Sequence, residues 1–422
     1  MLFSYQGKQI NAQISDIPED TKCQRAKAEL RGVWVTTVRN NDFPSPAVYE
    51  HGFNVDEFKR EFNEVIATCK KFKLNALFFQ IRPEGDAFYP SGVNPWSEYL
   101  TGIQGVAPGG GFDPLTYVIT TTHAAGMEFH AWLNPYRLSP WKNKSTTKAQ
   151  GLEKLSPSHY ARRHPDWVFF YNGQLYLNPG VPEVTDFMVK TVDEILNNYN
   201  VDAIHLDDFF YPYPYPEGDK MIMFSDISPD QETYRKYRVD ATQTIEKWRE
   251  ANINGLVYQL HKTIGRYNYS HQKQVEFGIS PFGIWASDKE APGGSKTSPT
   301  QLSSLDEYVN TKLWIEAGWI DYVVPQVYWR FEDSLSPFGV VTKWWNDVVA
   351  GTKTKLYIGL GLYLYQEDQF WQDPKEIIHQ LDYIRTLPNV SGFVIFTYHN
   401  LVEKRATTAV MKEAMKALAG HI

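Results

Sequence analysis

Cysteine is scarce: the 422 residues hold two, Cys23 and Cys69. No C-x-x-C pair and no Cys/His cluster at ligand spacing suggests a structural zinc. Cys69 falls on the apolar face of an amphipathic helix and reads as a small buried residue. Cys23 lies in a polar lead, and nothing supports a disulfide between the two. No run approaches the ~20 apolar residues of a membrane span. The start, Met1 to Lys8, lacks the apolar core of a signal peptide. That suits a cytoplasmic start or a chain whose leader was removed. Excess positive charge is missing as well. Lys and Arg number 42 against 49 Asp and Glu, a net charge of −7. The basic face that a phosphate backbone requires is absent, which argues against a nucleic-acid partner. Lys70-Lys71 with Lys73, and Arg162-Arg163, are short runs that read as solvated surface. No repeat of solenoid period occurs.

Aromatic residues, by contrast, are abundant. Thirteen Trp and 26 Tyr are more than a core ordinarily uses, because each carries a polar edge that wants a partner. The excess suggests a site lined with rings.

After a polar lead, residues 1–28, strands and helices alternate to the end of a single domain, 29–422. Apolar runs predict strands at 30–37, 76–82, 127–133, 203–207, 275–280, 322–328, 355–362 and 392–397. Helices are predicted at 55–72, 113–125, 183–199, 231–267, 302–317, 341–350, 374–387 and 403–419. Asp113-Pro114 is an N-cap followed by Pro at the first helical position. Eight strand–helix units are the count of a closed (β/α)8 barrel, a TIM barrel of the α/β class. The strands are near-continuously apolar, as parallel strands covered on both faces are. A doubly wound open sheet is the alternative, but no Gly-x-Gly-x-x-Gly turn follows the first strand. Long loops follow strands two to five. They leave one face of a barrel, the face that carries active sites.

The polar residues gather at those strand ends. Strand two offers Gln80 and Arg82, then Glu84 and Asp86. Strand three offers His130, Trp132, Asn134, Tyr136 and Arg137. Strand four offers His205, Asp207 and Asp208; strand five leads to Ser280 and Trp285. Strand six offers Gln326, Tyr328 and Trp329, and strand eight leads to His399. Alternation along a strand sets Gln80 with Arg82, His130 with Trp132 and Asn134, His205 with Asp207, and Gln326 with Tyr328. On that parity Asp207 projects into the barrel mouth, and Asp208 turns toward a neighbour unless a bulge intervenes. Plainer readings stand beside these: Arg82 as an interior ion pair, His130 and His205 as hydrogen-bonded core, Gln326 as an interior amide, Glu84 and Asp86 as loop caps.

The stretch Val201-Asp202-Ala203-Ile204-His205-Leu206-Asp207-Asp208-Phe209-Phe210-Tyr211-Pro212 is the most informative. A buried strand ends in two carboxylates and runs into aromatics. Carboxylates supply acid, base or nucleophile, and ring faces hold pyranoses, so the pattern is that of a sugar-cleaving barrel. A metal-dependent hydrolase is an alternative, with Asp207, Asp208, His205 and His130 as ligands. No His-x-His follows the first strand, however, and no metal or other cofactor is required by the residues.

Several of these segments in order resemble the glycosyl hydrolase-like 10 family. They are Arg31-Gly32-Val33-Trp34-Val35-Thr36, Gln80-Ile81-Arg82-Pro83-Glu84-Gly85-Asp86, His130-Ala131-Trp132-Leu133-Asn134-Pro135-Tyr136-Arg137, Ile204-His205-Leu206-Asp207-Asp208-Phe209 and Ile279-Ser280-Pro281-Phe282-Gly283-Ile284-Trp285. The likeness spans roughly residues 29 to 400. It implies a TIM barrel, a bacterial envelope or secreted setting, and hydrolysis of glycan, with peptide-free peptidoglycan strands as one substrate. The expected partner is a polysaccharide or oligosaccharide, and no protein partner is inferable. Many barrel glycosidases place a second carboxylate at strand seven, and Tyr357-Ile358-Gly359-Leu360-Gly361-Leu362-Tyr363 has none. The expected catalytic residues are Asp207, Asp208 and Asp86, with Glu84, Asp288 and Glu290 as further candidates for the second carboxylate. Arg82, Glu84, Asn134, Tyr136, Arg137, His205, Trp285, Gln326, Tyr328, Trp329 and His399 are the expected substrate contacts. Trp34 and Trp132 are further candidate stacking platforms. An N-acetyl sugar also permits its own acetamide to replace a protein nucleophile.

Overall fold

A computed structural model describes residues 2–5, 8–11, 29–139 and 147–422. Eight parallel strands close into one barrel. They are β1 (Leu30–Val35), β2 (Ala76–Arg82), β3 (Glu128–Leu133), β4 (Ala203–Leu206), β5 (Glu276–Ile279), β6 (Tyr322–Val323), β7 (Lys355–Gly361) and β8 (Val390–Phe396). Each pairs with the next, and β8 closes on β1 through Gly392↔Leu30 to Ile395↔Val33. The barrel is therefore the architecture, and the open doubly wound sheet is not.

Eight helices alternate with the strands: α1 (Val55–Lys71), α2 (Pro114–Ala124), α3 (Pro182–Asn198), α4 (Ile245–His271), α5 (Thr311–Glu316), α6 (Phe338–Val348), α7 (Glu376–Thr386) and α8 (Ala409–His421). Local chemistry sets their ends. The Asn54 side chain accepts from the backbone N–H of Asp56 and Glu57, and Asp113 does the same for Leu115 and Thr116, which satisfies orphan donors of the first turn. Asp56 and Glu57 at one end of α1 and Lys70 and Lys71 at the other suit the helix dipole.

Strand alternation divides the apolar residues into two cores. Val33, Val35, Leu77, Phe79, Ala131 and Ile204 face outward and pack with helix residues such as Phe58, Phe62 and Val65. Each of these buried phenylalanines contributes ~1.5–3 kcal/mol. Trp34, Phe78, Trp132, Tyr322 and Tyr357 fill the barrel itself. His130 and His205 share that interior. Each turns its Nδ1 to the Tyr322 hydroxyl, at 2.8 and 3.2 Å. Gly278 makes this possible, since a Cβ there would lie 2.0 Å from the Tyr322 ring. Gly278→Ala is expected to cost ~1–3 kcal/mol through overpacking. Chemical denaturation reads this directly, and an unchanged midpoint would contradict the packing.

The structure departs from the sequence reading in several places. β6 stops as a ladder at Val323, because Pro325 has no N–H to donate; Gln326 rejoins only by single bridges to Phe282 and Gly359. The long helix expected at 231–267 is two, Gln231–Tyr237 and α4. Between them Asp240 accepts from Thr242 N in a local turn, and Thr244 caps α4. The helix expected at 302–317 is a single turn, Ser304–Glu307, then Tyr308 in left-handed conformation, then α5 capped by Asn310. The last helix starts at Ala409, capped by Thr408. The polar lead contains a two-stranded hairpin, Leu2–Tyr5 with Lys8–Asn11; Cys23 lies outside the described residues, and Cys69 is free and buried.

The long connections do leave one face. The loop after β3 carries a hairpin, Val168–Tyr171 with Gln174–Leu177, and the loop after β4 carries Tyr215–Glu217 with Lys220–Ile222. Among the described residues no helix is long and apolar enough to cross a membrane.

Candidate active site

β4 leaves the ladder after Leu206. Phe210 N then donates to the Asp208 carbonyl at 2.9 Å, so the chain turns tightly through 207–210. Strand parity no longer applies there, and both Asp207 and Asp208 line one cleft at the barrel mouth. The expectation that Asp208 turns aside is corrected by this turn. The cleft has a volume of about 160 Å³. Trp34, Trp132, Phe209, Tyr328 and Phe396 give it ring surfaces; Thr36, Gln80, Ser280 and Gln326 give it polar ones; Arg137 gives it positive charge.

Three donors hold Asp207. Trp132 Nε1 donates to Oδ2 at 2.9 Å, Asn134 Nδ2 donates at 3.0 Å, and Phe209 N donates to Oδ1 at 3.2 Å. Asp208 accepts from the Tyr213 hydroxyl. Burial, and then the neighbouring Asp208, push Asp207 up to about 7. Burial raises Asp208 as well. Two carboxyls that repel each other titrate as a pair, and near neutral pH they share one proton. Indole, carboxamide and backbone N–H can only donate, so they favour ionised Asp207. Tyr213 likewise donates to Asp208, so its hydrogen bond also favours the ionised carboxyl against burial.

Other expected residues support this pair, some from the cleft wall and some from beneath it. Asn134 is buried; while Nδ2 grips Asp207, Oδ1 accepts from Arg137 N at 2.8 Å. β2 has a register shift between Gln80 and Arg82. Gln80 therefore reaches the cleft and Arg82 does not. Arg82 is buried and donates to Asn94, to the Asn134 carbonyl and to the Tyr160 hydroxyl. Arg137 lies 4.7 Å over the Phe209 ring and 3.6 Å from Glu84. Glu84 is sealed beneath, accepting from Tyr99 Oη at 2.9 Å.

Burial pushes Glu84 up to about 8. A carboxyl whose folded value is raised binds its proton more tightly when folded, so stability falls as pH climbs from the ordinary carboxylate range through about 8. Glu84→Gln is thus expected to raise the melting temperature relative to the parent at alkaline pH and to leave the two alike near pH ~5. An equal difference at both would contradict it.

Several expected residues are not brought to the cleft. Asp86 is fully buried, with Gln104 Nε2 and Glu84 N both 3.3 Å from its oxygens. His205 lies below the floor, bonded to Trp34, Ser280 and Tyr322. The tetrad considered for metal therefore separates, with both histidines occupied inside the barrel; among the described residues no group of three or more His, Cys, Asp or Glu could hold a metal ion. Tyr136 is buried against Phe210. Trp285 stacks on Trp344 at 5.7 Å, and Trp329 meets Phe282 edge-on. His399 contributes its backbone N–H to Asp42, at 2.7 Å, while its ring turns to the Asn41 carbonyl. Asp288 and Glu290 are exposed and outside the cleft.

Besides the cleft rings Phe209 and Phe396, Thr36, Asp42, Tyr213 and Glu307 were absent from the sequence-derived site. Thr36 lines the cleft, and buried Asp42 ties it to the end of β8, accepting from Thr36 N (2.7 Å) and from Thr397 Oγ1 (2.9 Å). Tyr213 and Glu307 stand behind Asp208. Glu307 is buried, and burial with the neighbouring Asp208 pushes its carboxyl well up. The run of tyrosines after β4 was the one available signal for Tyr213, and none marked Glu307.

The chain is similar to known glycosyl hydrolases. The chain is 41% identical over 375 residues to glycosyl hydrolase YngK of Bacillus subtilis, covering 88% of this chain and 69% of that protein. It is 33% identical over 399 residues to glycosyl hydrolase DigH of Escherichia coli, covering 92% and 87%. Among solved structures, the catalytic domain of β-amylase from Paenibacillus polymyxa superposes with a TM-score of 0.53 at 10% identity, covering 94% of this chain and 99% of that one; that is a likeness of fold alone. Residues 29–375 match the glycosyl hydrolase-like 10 family, and with an acid pair set in a ring-lined cleft at the barrel mouth, the chain belongs to that family.

Proposed function

We propose that the protein is a glycoside hydrolase that cleaves a GlcNAc- or MurNAc-containing polymer of bacterial cell-wall type, peptide-free peptidoglycan strands included, in an envelope or secreted setting. The observation that carries this reading is the adjacent, buried pair Asp207 and Asp208 in a cleft lined by rings, where burial raises both carboxyls. A general acid must be protonated near working pH, and its partner ionised. In this reading Asp208 protonates the leaving oxygen and Asp207 remains a carboxylate.

Among the described residues lining the cleft, Asp207 and Asp208 are the only carboxylates, and both come from one strand end. A protein nucleophile on the far side of the sugar is therefore missing. An N-acetyl sugar supplies its own, because the acetamide oxygen attacks the anomeric carbon. Asp207 would accept the acetamide N–H. Tyr328 Oη is buried, has no partner among the described residues and belongs to the cleft wall; it would donate to the acetamide oxygen. Arg137 suits a substrate carboxylate, because its guanidinium binds one bidentately.

Incubation with peptide-free glycan strands, chitin oligomers and a generic β-glucan tests the reading. New reducing ends are expected from an N-acetylated polymer and not from the β-glucan. Glycan binding without release would overturn it in favour of a glycan-binding scaffold.

A further inference from the structure

Several polar groups that line the cleft are already taken by the protein. Thr36 Oγ1 donates to Asp42 at 2.8 Å and accepts from Asn41 Nδ2 at 3.0 Å. Ser280 Oγ bonds His205 Nε2 at 3.0 Å. Gln80 is only half used. Its side-chain oxygen accepts from Thr37 N and Val38 N, each at 3.0 Å. Two backbone N–H groups on one atom fix that atom as oxygen, so the orientation of the carboxamide is set. Thr37 Oγ1 ties down the same residue, donating to the Gln80 carbonyl at 2.8 Å. The NH2 end is left over. Among the described residues nothing accepts its hydrogens, although Gln80 is 1% exposed and lines the cleft. A buried donor without an acceptor is costly to keep, and the cleft is where an acceptor can reach it.

We propose that Gln80 is a substrate-binding residue whose NH2 donates to an oxygen of the sugar held at the acid pair, a hydroxyl or the acetamide carbonyl. The inference rests on the glycosidase reading and deepens it, since it names a group that selects the substrate. The site presents a donor at this point and nothing else. The Gln80 oxygen is engaged by two backbone N–H groups, so the amide cannot turn over to offer an acceptor. β2 and β6 each stand two strands from β4, on opposite sides. A sugar at Asp207 and Asp208 thus meets Gln80 on one flank. On the other it meets Tyr328, whose hydroxyl also lacks a partner among the described residues. A glycan without the matching oxygen leaves the NH2 buried and unpaired, which is how a polar site rejects an analogue.

Gln80→Glu tests this. The carboxylate keeps an oxygen for Thr37 N and Val38 N and has no hydrogen to donate, so the strand end is held and the contact is lost. Dissociation constants are measured by calorimetry for parent and variant, with reducing ends assayed in the same samples. The ligands are a chitin oligomer, its singly deoxygenated analogues and the cello-oligomer, which lacks the acetamide. In the parent, at least one analogue is expected to bind about tenfold or more weaker than the chitin oligomer. In the folded variant that penalty is expected to disappear, because residue 80 no longer meets the missing oxygen. Gln80→Met removes the donor without adding charge. It is expected to melt lower, since Thr37 N and Val38 N lose their acceptor, and to lose the same penalty; either folded variant suffices. Penalties that persist unchanged in a folded variant overturn the contact and leave Gln80 an anchor for Thr37 and Val38; release of reducing ends by the parent then keeps the glycosidase reading standing. A penalty that depends on Gln80, with no release from any glycan, keeps the contact and overturns the glycosidase reading. A parent that neither binds nor cleaves the N-acetylated glycan overturns both.

Discussion

Asp208→Asn is expected to lose about a thousandfold or more in kcat, with its melting temperature kept. The carboxamide has the shape of the carboxyl and can still accept from Tyr213, so the local fold survives. What it lacks is a proton acidic enough to reach the leaving oxygen. The deficit should shrink on an aryl glycoside whose leaving group needs no proton, because only the acid's task has been removed. A folded variant within about tenfold of the parent on natural glycan would remove Asp208 from that role.

Asp207→Asn carries the second large effect, about a hundredfold or more, and it should not be rescued by a good leaving group. Trp132 Nε1, Asn134 Nδ2 and Phe209 N all point their hydrogens at this carboxylate. A carboxamide has one acceptor oxygen, so its NH2 would face a donor, and the negative charge that steadies the reacting sugar would be gone. Stability moves in the opposite sense from activity. Asp207 is pushed up to about 7 on folding, so its contribution is present below the ordinary aspartate range and is lost as pH rises through about 7. The Asn variant lacks that alkaline loss. Its melting temperature relative to the parent should improve from acid to neutral pH, and a flat difference would contradict the raised value. Rescue of Asp207→Asn by the activated substrate would exchange the roles of the two acids.

The barrel was legible because each strand is a run of apolar residues and each helix has a face. Asp207 and Asp208 were legible because an apolar run that ends in two acids has few structural reasons to do so. Arg137, Gln326 and Tyr328 followed from strand ends alone. The losses have local causes. Parity broke at Ile81, where the β2 register shift separates Gln80 from Arg82, and a one-residue slip of that kind leaves no mark in composition. Asp86 stands close to a strand end in sequence, but Gly85, at φ 69°, turns the chain beneath Leu138 and Tyr160. Glu307 was hidden in a stretch with helical periodicity. The left-handed Tyr308 ends the first turn and Asn310 begins a new helix, and neither break involves Gly or Pro. Residues that serve through backbone groups, as His399 does, are invisible to any reading of side chains.

The role proposed for Asp208 is to drive hydrolytic cleavage of an N-acetylated glycan. The most direct measurement is digestion of peptide-free peptidoglycan strands in heavy-oxygen water, with parent and Asp208→Asn protein side by side and products weighed by mass spectrometry. New saccharides are expected from the parent, each carrying one heavy oxygen at its new reducing end, and none from the folded variant. Products without the label, or equal release by the variant, would contradict it.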